Sequence, residues 1–151
     1  MAGVAVVMPA RLAETGDSWI PRVRGIPVSQ CCFDAAVVIR FSAGGQAWEV
    51  RIEQPFVLIE PNGTEYSVVP GGNPAMLVPI VRMVGQAAEE ATAFKDGRLE
   101  LRFADGTLIR VPPDEGFEAW ELNGPGGIRL VSLPGGELAV WASHPTDDGQ
   151  P

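Results

Sequence analysis

Through the middle of the chain, apolar and polar residues alternate with a period of two. Over residues 35–41, Ala35, Val37, Ile39 and Phe41 share one side. Over residues 48–53, Trp48, Val50 and Ile52 alternate with Glu49, Arg51 and Glu53. Over residues 99–103, Leu99, Leu101 and Phe103 alternate with Glu100 and Arg102. Successive side chains of a strand project to opposite faces, so each run predicts a strand with one dry and one wet face. Asp96-Gly97, Asp105-Gly106, Asn62-Gly63 and Asn123-Gly124 lie between such runs. Tight hairpin turns need positive φ, which glycine adopts freely, so these pairs predict antiparallel neighbours.

The pattern also repeats. FDAAVVIRF (33–41) lies against KDGRLELRF (95–103), with Asp34 over Asp96, Arg40 over Arg102 and Phe41 over Phe103. EVRI (49–52) lies against LIRV (108–111), and VVPGG (68–72) against SLPGG (132–136). PFVLIEPNG (55–63) lies against GFEAWELNG (116–124), placing Phe56 over Phe117, Glu60 over Glu121 and Asn62-Gly63 over Asn123-Gly124. Four matches in one order predict duplication of a unit of roughly 45 residues, at about 28–72 and 90–136. So small a unit buries too little apolar surface to offset its chain entropy, so the two are expected to share one core.

Between the units runs NPAMLVPIVRMVGQ (73–86). Asn73 can cap, Pro74 suits a first helical position and Gly85 can end a helix. These signals predict an apolar helix over about 74–85, packed on the sheets and kinked or shortened by Pro79. The fold class expected is mostly β (α+β): duplicated antiparallel meanders forming a sandwich or half-open barrel, with one connecting helix. Residues 19–142 form the expected single domain, after a loosely attached segment 1–18 and before a polar, disordered tail 143–151.

A length of 151 residues suits one domain. A net charge of -8 disfavours phosphate backbones and fits a soluble protein or one that meets a basic partner, so the expected partner is another protein and not nucleic acid. No apolar run approaches the ~18 residues of a membrane span, and the N-terminal stretch is a poor signal peptide. Cys31 and Cys32 are the only cysteines; a bridge between strand neighbours would be strained, so both read as reduced, half-buried thiols in a cytoplasm.

Catalytic signals are sparse. The single histidine, His144, lies in the tail, which withholds the usual general base and the commonest nitrogen ligand. GxSxG, CxxC, HExxH and EF-hand spacings are missing, and no Gly-Gly pair is followed by Lys-Ser or Lys-Thr. No cofactor or metal is expected. Carboxylates remain. In FEAWEL, the pleat would set Glu118, Trp120 and Leu122 on one face and Phe117, Ala119 and Glu121 on the other. Three readings follow. Glu118 and Trp120 form a partly exposed docking patch, with Glu121 and its repeat counterpart Glu60 as further binding residues. A carboxylate raised in pKa beside the indole acts as a general acid. Or Trp120 fills the core edge and the glutamates solvate strand ends. The first copy is wholly apolar at Val57-Leu58-Ile59 where the second reads Glu118-Ala119-Trp120, which predicts that the first lies deeper and the second nearer an edge or cleft. Arg40, Arg51, Arg102 and Arg110 are expected to pair across strands with Glu49, Glu53 and Glu100.

Residues 97–141 contain DGTLIRVPPDEGFEAWEL and LVSLPGGELAVW. In these strings the chain resembles a family of small actinobacterial proteins of unknown function. The resemblance transfers no catalytic residues. Size, acidity and β content are similar to those of immunity and accessory proteins of bacterial conflict systems. The leading expectation is a non-enzymatic cytoplasmic protein-binding module of immunity or accessory type, with a homodimer as one possible state. The alternative is a small-molecule-binding β-barrel, or a cofactor-free enzyme using carboxylate and aromatic residues, marked by an enclosed apolar cavity of several hundred Å3.

Overall fold

The computed structural model describes residues 11–142. Its strands are β1 (Leu12–Glu14), β2 (Ser18–Pro21), β3 (Val28–Phe33), β4 (Val37–Ala43), β5 (Gln46–Ile52), β6 (Phe56–Ile59), β7 (Glu65–Val68), β8 (Ala88–Phe94), β9 (Leu99–Phe103), β10 (Leu108–Val111), β11 (Trp120–Asn123), β12 (Arg129–Ser132) and β13 (Leu138–Trp141). They form two antiparallel sheets, ordered β1-β2-β8-β9-β10-β6-β7 and β13-β12-β11-β5-β4-β3. The sheets pack as a sandwich and do not close into a barrel. Alternation decides which residues meet between them: Val37, Ile39 and Phe41 are buried with Trp48, Val50 and Ile52, opposite Leu99, Leu101 and Phe103.

The repeat appears as an exchange of strands. The first unit gives β3, β4 and β5 to the six-stranded sheet, then crosses to give β6 and β7 to the other. The second unit does the reverse, placing β8, β9 and β10 in the seven-stranded sheet and β11 and β12 in its neighbour. Registers agree residue by residue: Ile39 faces Val50 as Leu101 faces Ile109, and Val38 faces Arg51 as Glu100 faces Arg110. The aligned Phe41 and Phe103 stack across the core, ring centroids 6.1 Å apart at 13°. Asp34 and Asp96 each accept from the backbone N–H two residues on, Ala36 and Arg98. Each sheet holds strands of both units, so one core serves both.

One sequence match is displaced. Val57 lies opposite Arg110, and the residue opposite Arg51 is Glu121, not Glu118. The true counterpart of Phe56 is therefore Trp120, three residues beyond the match of Phe56 with Phe117. The cause is the connection between β10 and β11, residues 112–119, which exceeds the 53–55 connection of the first copy. Asn123-Gly124 then falls in the strand end and is no hairpin turn. Gly124 has an extended φ of -144°, and the positive φ values are at Gly126 and Gly127, 72° and 81°. Glycine serves position 124 for room: a Cβ there would stand 2.4 Å from the Trp48 ring.

Two further expectations are corrected. In place of a helix over 74–85, a 3-10 turn at Pro74–Leu77 leads into a single α turn, α1 (Val78–Val81). Asn73 does cap, its Oδ1 accepting from Ala75 N, but Pro79 lacks the N–H that would extend the ladder. Residues 12–18 are not loosely attached: β1 pairs with β2, and β2 with β8. The rest of the 1–18 segment up to residue 10, and the tail 143–151 with His144, lie outside the described residues.

Candidate binding surfaces

The structure separates the four residues singled out in the sequence. Trp120 is 1% exposed, in the core beside Ile52 and Leu122. Its Nε1 donates to the Gly97 carbonyl at 2.8 Å, which also accepts from Ser132 Oγ at 2.9 Å. Glu118 is exposed in the long connection before β11. The two therefore share no exposed face, and the indole N–H meets a carbonyl rather than an acid, which removes both the docking patch and the general-acid arrangement drawn around that pair. Nor is the second copy shallower than the first: β6 and β11 have the same alternation of buried and half-buried residues, and both lie inside their sheets. Glu121 projects from the outer face of the six-stranded sheet, accepting from Arg129 Nε at 2.8 Å and Asn123 Nδ2 at 3.0 Å. Glu60, just beyond β6, accepts from Tyr66 Oη at 3.3 Å and faces Arg82 Nη1 at 3.4 Å.

Arg82 belongs to the segment that joins the two units, and that segment runs along one side of the sandwich. Just before it, at Gly71, a Cβ would stand 3.6 Å from Ala35 Cα. Farther on, Gly85 N donates to Val28 O, and Val28 N donates to Gln86 O. After the one α-type bond, Arg82 N to Val78 O, the hydrogen bonds reach back three residues, Met83 N to Ile80 O, Val84 N to Val81 O and Gln86 N to Met83 O. Three-residue periodicity stacks i on i+3. Ile80 and Met83 accordingly point inward, at 0% and 3% exposure, while Val78, Val81 and Val84 point outward at 46%, 50% and 50%. Beside this stripe is a pocket of about 140 Å3 bounded by Tyr66, Ala75, Met76, Val78, Pro79 and Arg82. The sequence held the signal: a segment apolar all round, laid on a surface, can bury only one side.

Among the described residues, the space between the sheets is filled. The interior gap bordered by Phe41, Trp48, Phe103 and Leu122 holds about 10 Å3, room for about one water molecule and far below a ligand cavity. The enclosed ligand cavity of a barrel is not formed there. Larger hollows lie on the outer faces. On the seven-stranded sheet a groove of about 540 Å3 is bounded by Pro55, Val57, Ser67, Arg98, Glu100, Arg110 and Pro112. On the six-stranded sheet a more polar hollow of about 430 Å3 is bounded by residues including Gln30, Arg40, Glu49 and Asn123.

Ion pairs lie on the outer faces, as the alternation requires. Arg40 meets Glu49 across strands at 2.7 Å and Arg110 meets Glu100 at 3.3 Å. Arg51 pairs instead with Glu53 two residues on, at 3.1 Å. Cys31 and Cys32 are free thiols, half-buried on β3. Cys31 packs toward the core, its Sγ 3.8 Å from Ile80 O, and burial, followed by the neighbouring Cys32, pushes its pKa up to about 11. Cys32 faces outward, with Arg40 Nη1 3.6 Å from its Sγ. Among the described residues no cluster of three His, Cys, Asp or Glu converges as a metal site would require. No helix of the described chain is long and apolar enough to cross a membrane.

No curated protein and no solved structure matches the chain. A family model does, over residues 19–142, from β2 to the end of β13. The chain belongs to DUF6188, a family of unknown function.

Proposed function

We propose that this protein is a non-enzymatic binding module whose partner, another protein, docks on the stripe of Val78, Val81 and Val84. The observation that carries this reading is the half-exposure of all three valines beside Met76, which is 47% exposed. A contiguous apolar surface of this kind marks interaction sites on soluble proteins. Tyr66, Met76 and Arg82 border it, and Tyr, Met and Arg are enriched where protein interfaces bury their centres. Covering the exposed half of each valine contributes about 1 kcal/mol, taking half of the ~1.5–3 kcal/mol for a whole side chain. The stripe alone then supplies about 3 kcal/mol, a useful core for an interface but not a whole one.

A net charge of -8 works against a second copy and favours a basic partner. The reading extends to a cytoplasmic protein of immunity or accessory type, among small actinobacterial members carrying EAWEL and LVSLPGG strings; acidity, size and those strings support it. A photo-cross-linking residue placed at Val81 in the producing cell tests the docking. A discrete protein adduct is expected from Val81 and not from the exposed control position Glu118. Equal adduct patterns from both positions would remove the proposal.

A further inference from the structure

The duplicated frame allows the two outer sheet faces to be compared at equivalent positions. In the seven-stranded sheet one cross-strand row reads Glu100, Arg110, Val57, Ser67. The equivalent row of the other sheet reads Val38, Arg51, Glu121, Val131. The central arginine is common to both. Arg51 has acids on two sides, Glu53 at 3.1 Å and Glu121 as its cross-strand neighbour. Arg110 has Glu100 on one side at 3.3 Å, but the place of Glu121 is taken by Val57. The apolar groove of about 540 Å3 lies here, open to solvent and lined by Val57, Pro55 and Pro112. Arg98 borders it as a second cation, braced by Asp96 at 2.8 Å and lying over the Phe94 ring at 4.1 Å.

We infer that this groove binds a small amphipathic anion, an apolar body on Val57, Pro55 and Pro112 with its carboxylate on Arg110 and Arg98. Three features converge. The volume lies within the ~300–1,000 Å3 range of small-ligand sites, and such sites combine an apolar lining with a few placed polar groups. The charge is permissive: on a chain of net charge -8, the groove's two arginines are balanced by Glu100 and Asp96, a locally neutral spot whose guanidinium nitrogens beyond the two Nε atoms are left to receive an anion. A guanidinium has five N–H donors and a carboxylate takes two at most in a fork, so Glu100 leaves Arg110 able to hold a second acid. The occupant assigned is a free molecule in solution. This site is independent of the valine stripe.

Titration calorimetry with decanoate below its micelle concentration tests the assignment, with decanol and decyltrimethylammonium as controls. One decanoate per chain is expected, bound at least tenfold more tightly than either control. Val57→Glu restores the acid that the other sheet already carries at the equivalent position, so the frame accepts it; it should weaken decanoate binding at least tenfold with the melting temperature little changed. Glu100→Gln removes the competing acid and should tighten binding about threefold. Equal affinity for the cationic control, or a Val57→Glu variant that binds as the parent does, overturns the inference. So does sedimentation with phosphatidylglycerol vesicles without any decanoate binding, since the occupant would then be a membrane surface.

Discussion

Replacing Trp120 by phenylalanine separates a core residue from a docking residue. Trp120 is 1% exposed. Its indole N–H donates to Gly97 O at 2.8 Å, and Ser132 Oγ reaches the same carbonyl at 2.9 Å. In the phenylalanine variant Gly97 O keeps the serine, so the acceptor is not orphaned and the lost hydrogen bond costs about 1 kcal/mol. The smaller ring leaves roughly 40 Å3 unfilled, which at ~24 cal/mol per Å3 costs about 1 kcal/mol more. The sum, about 2 kcal/mol, lowers the melting temperature of a chain this size by roughly 6 °C. Glu118→Ala, in an exposed connection, should change stability by less than ~0.5 kcal/mol. Thermal and urea unfolding by circular dichroism measures both. A Trp120→Phe variant melting within about 2 °C of the parent refutes the core placement and revives the docking patch.

Glycine positions give a second check. Gly97 has φ +100°, and a Cβ there would lie 2.4 Å from Gly136 O, whereas Gly63 has φ +90° and open space around it. Gly97→Ala should therefore cost clearly more in urea unfolding than Gly63→Ala, overpacking adding ~1–3 kcal/mol to the strain of the left-handed backbone that both share. Cys31 supplies a pH dependence. With its folded pKa raised to about 11 by burial, the stability gained from keeping it a neutral thiol is fully present below the ordinary thiol range of ~8.5. That stability is lost as pH climbs through the folded value, because the unfolded chain releases the proton first. In a Cys32→Ser variant, alkylation of Cys31 by iodoacetamide at pH 8 should run more than tenfold slower than that of an ordinary thiol, and equal rates would contradict the buried placement.

Strands were the legible part of the sequence, because a two-residue period with β-branched and aromatic residues on one side has few other outcomes. The alignment of Arg40 with Arg102 is repeated in the registers of β4 with β5 and β9 with β10, although Arg40 faces Glu49 where Arg102 faces Leu108. The exchange of β6 and β11 between sheets was not legible. Each pairs with a strand of the other unit, a nonlocal choice that no local pattern encodes. The slip at Trp120 has a narrower cause. The two Asn-Gly pairs match in sequence but lie three residues apart in the structural frame, because glycine serves a turn at Gly63 and a close approach to Trp48 at Gly124. Of the four residues suggested for binding, Glu60 alone borders the joining segment, through Tyr66 and Arg82. The valine stripe is not legible in the helix pattern, which predicts one buried apolar face, whereas the turns after Pro79 present a second apolar face to the outside.

The docking claim meets its most direct test in a paired measurement on the joining segment. A photo-cross-linking residue at Ala75, on the rim of the small pocket, reports contact with the partner while Val81→Asp and Val84→Asp place two charges on the stripe. Both valines are half-exposed, so the melting temperature should stay within about 2 °C of the parent, as surface substitutions usually allow. The account predicts that the Ala75 adduct disappears in this folded variant. An adduct that persists at full yield, with the fold equally intact, would contradict it.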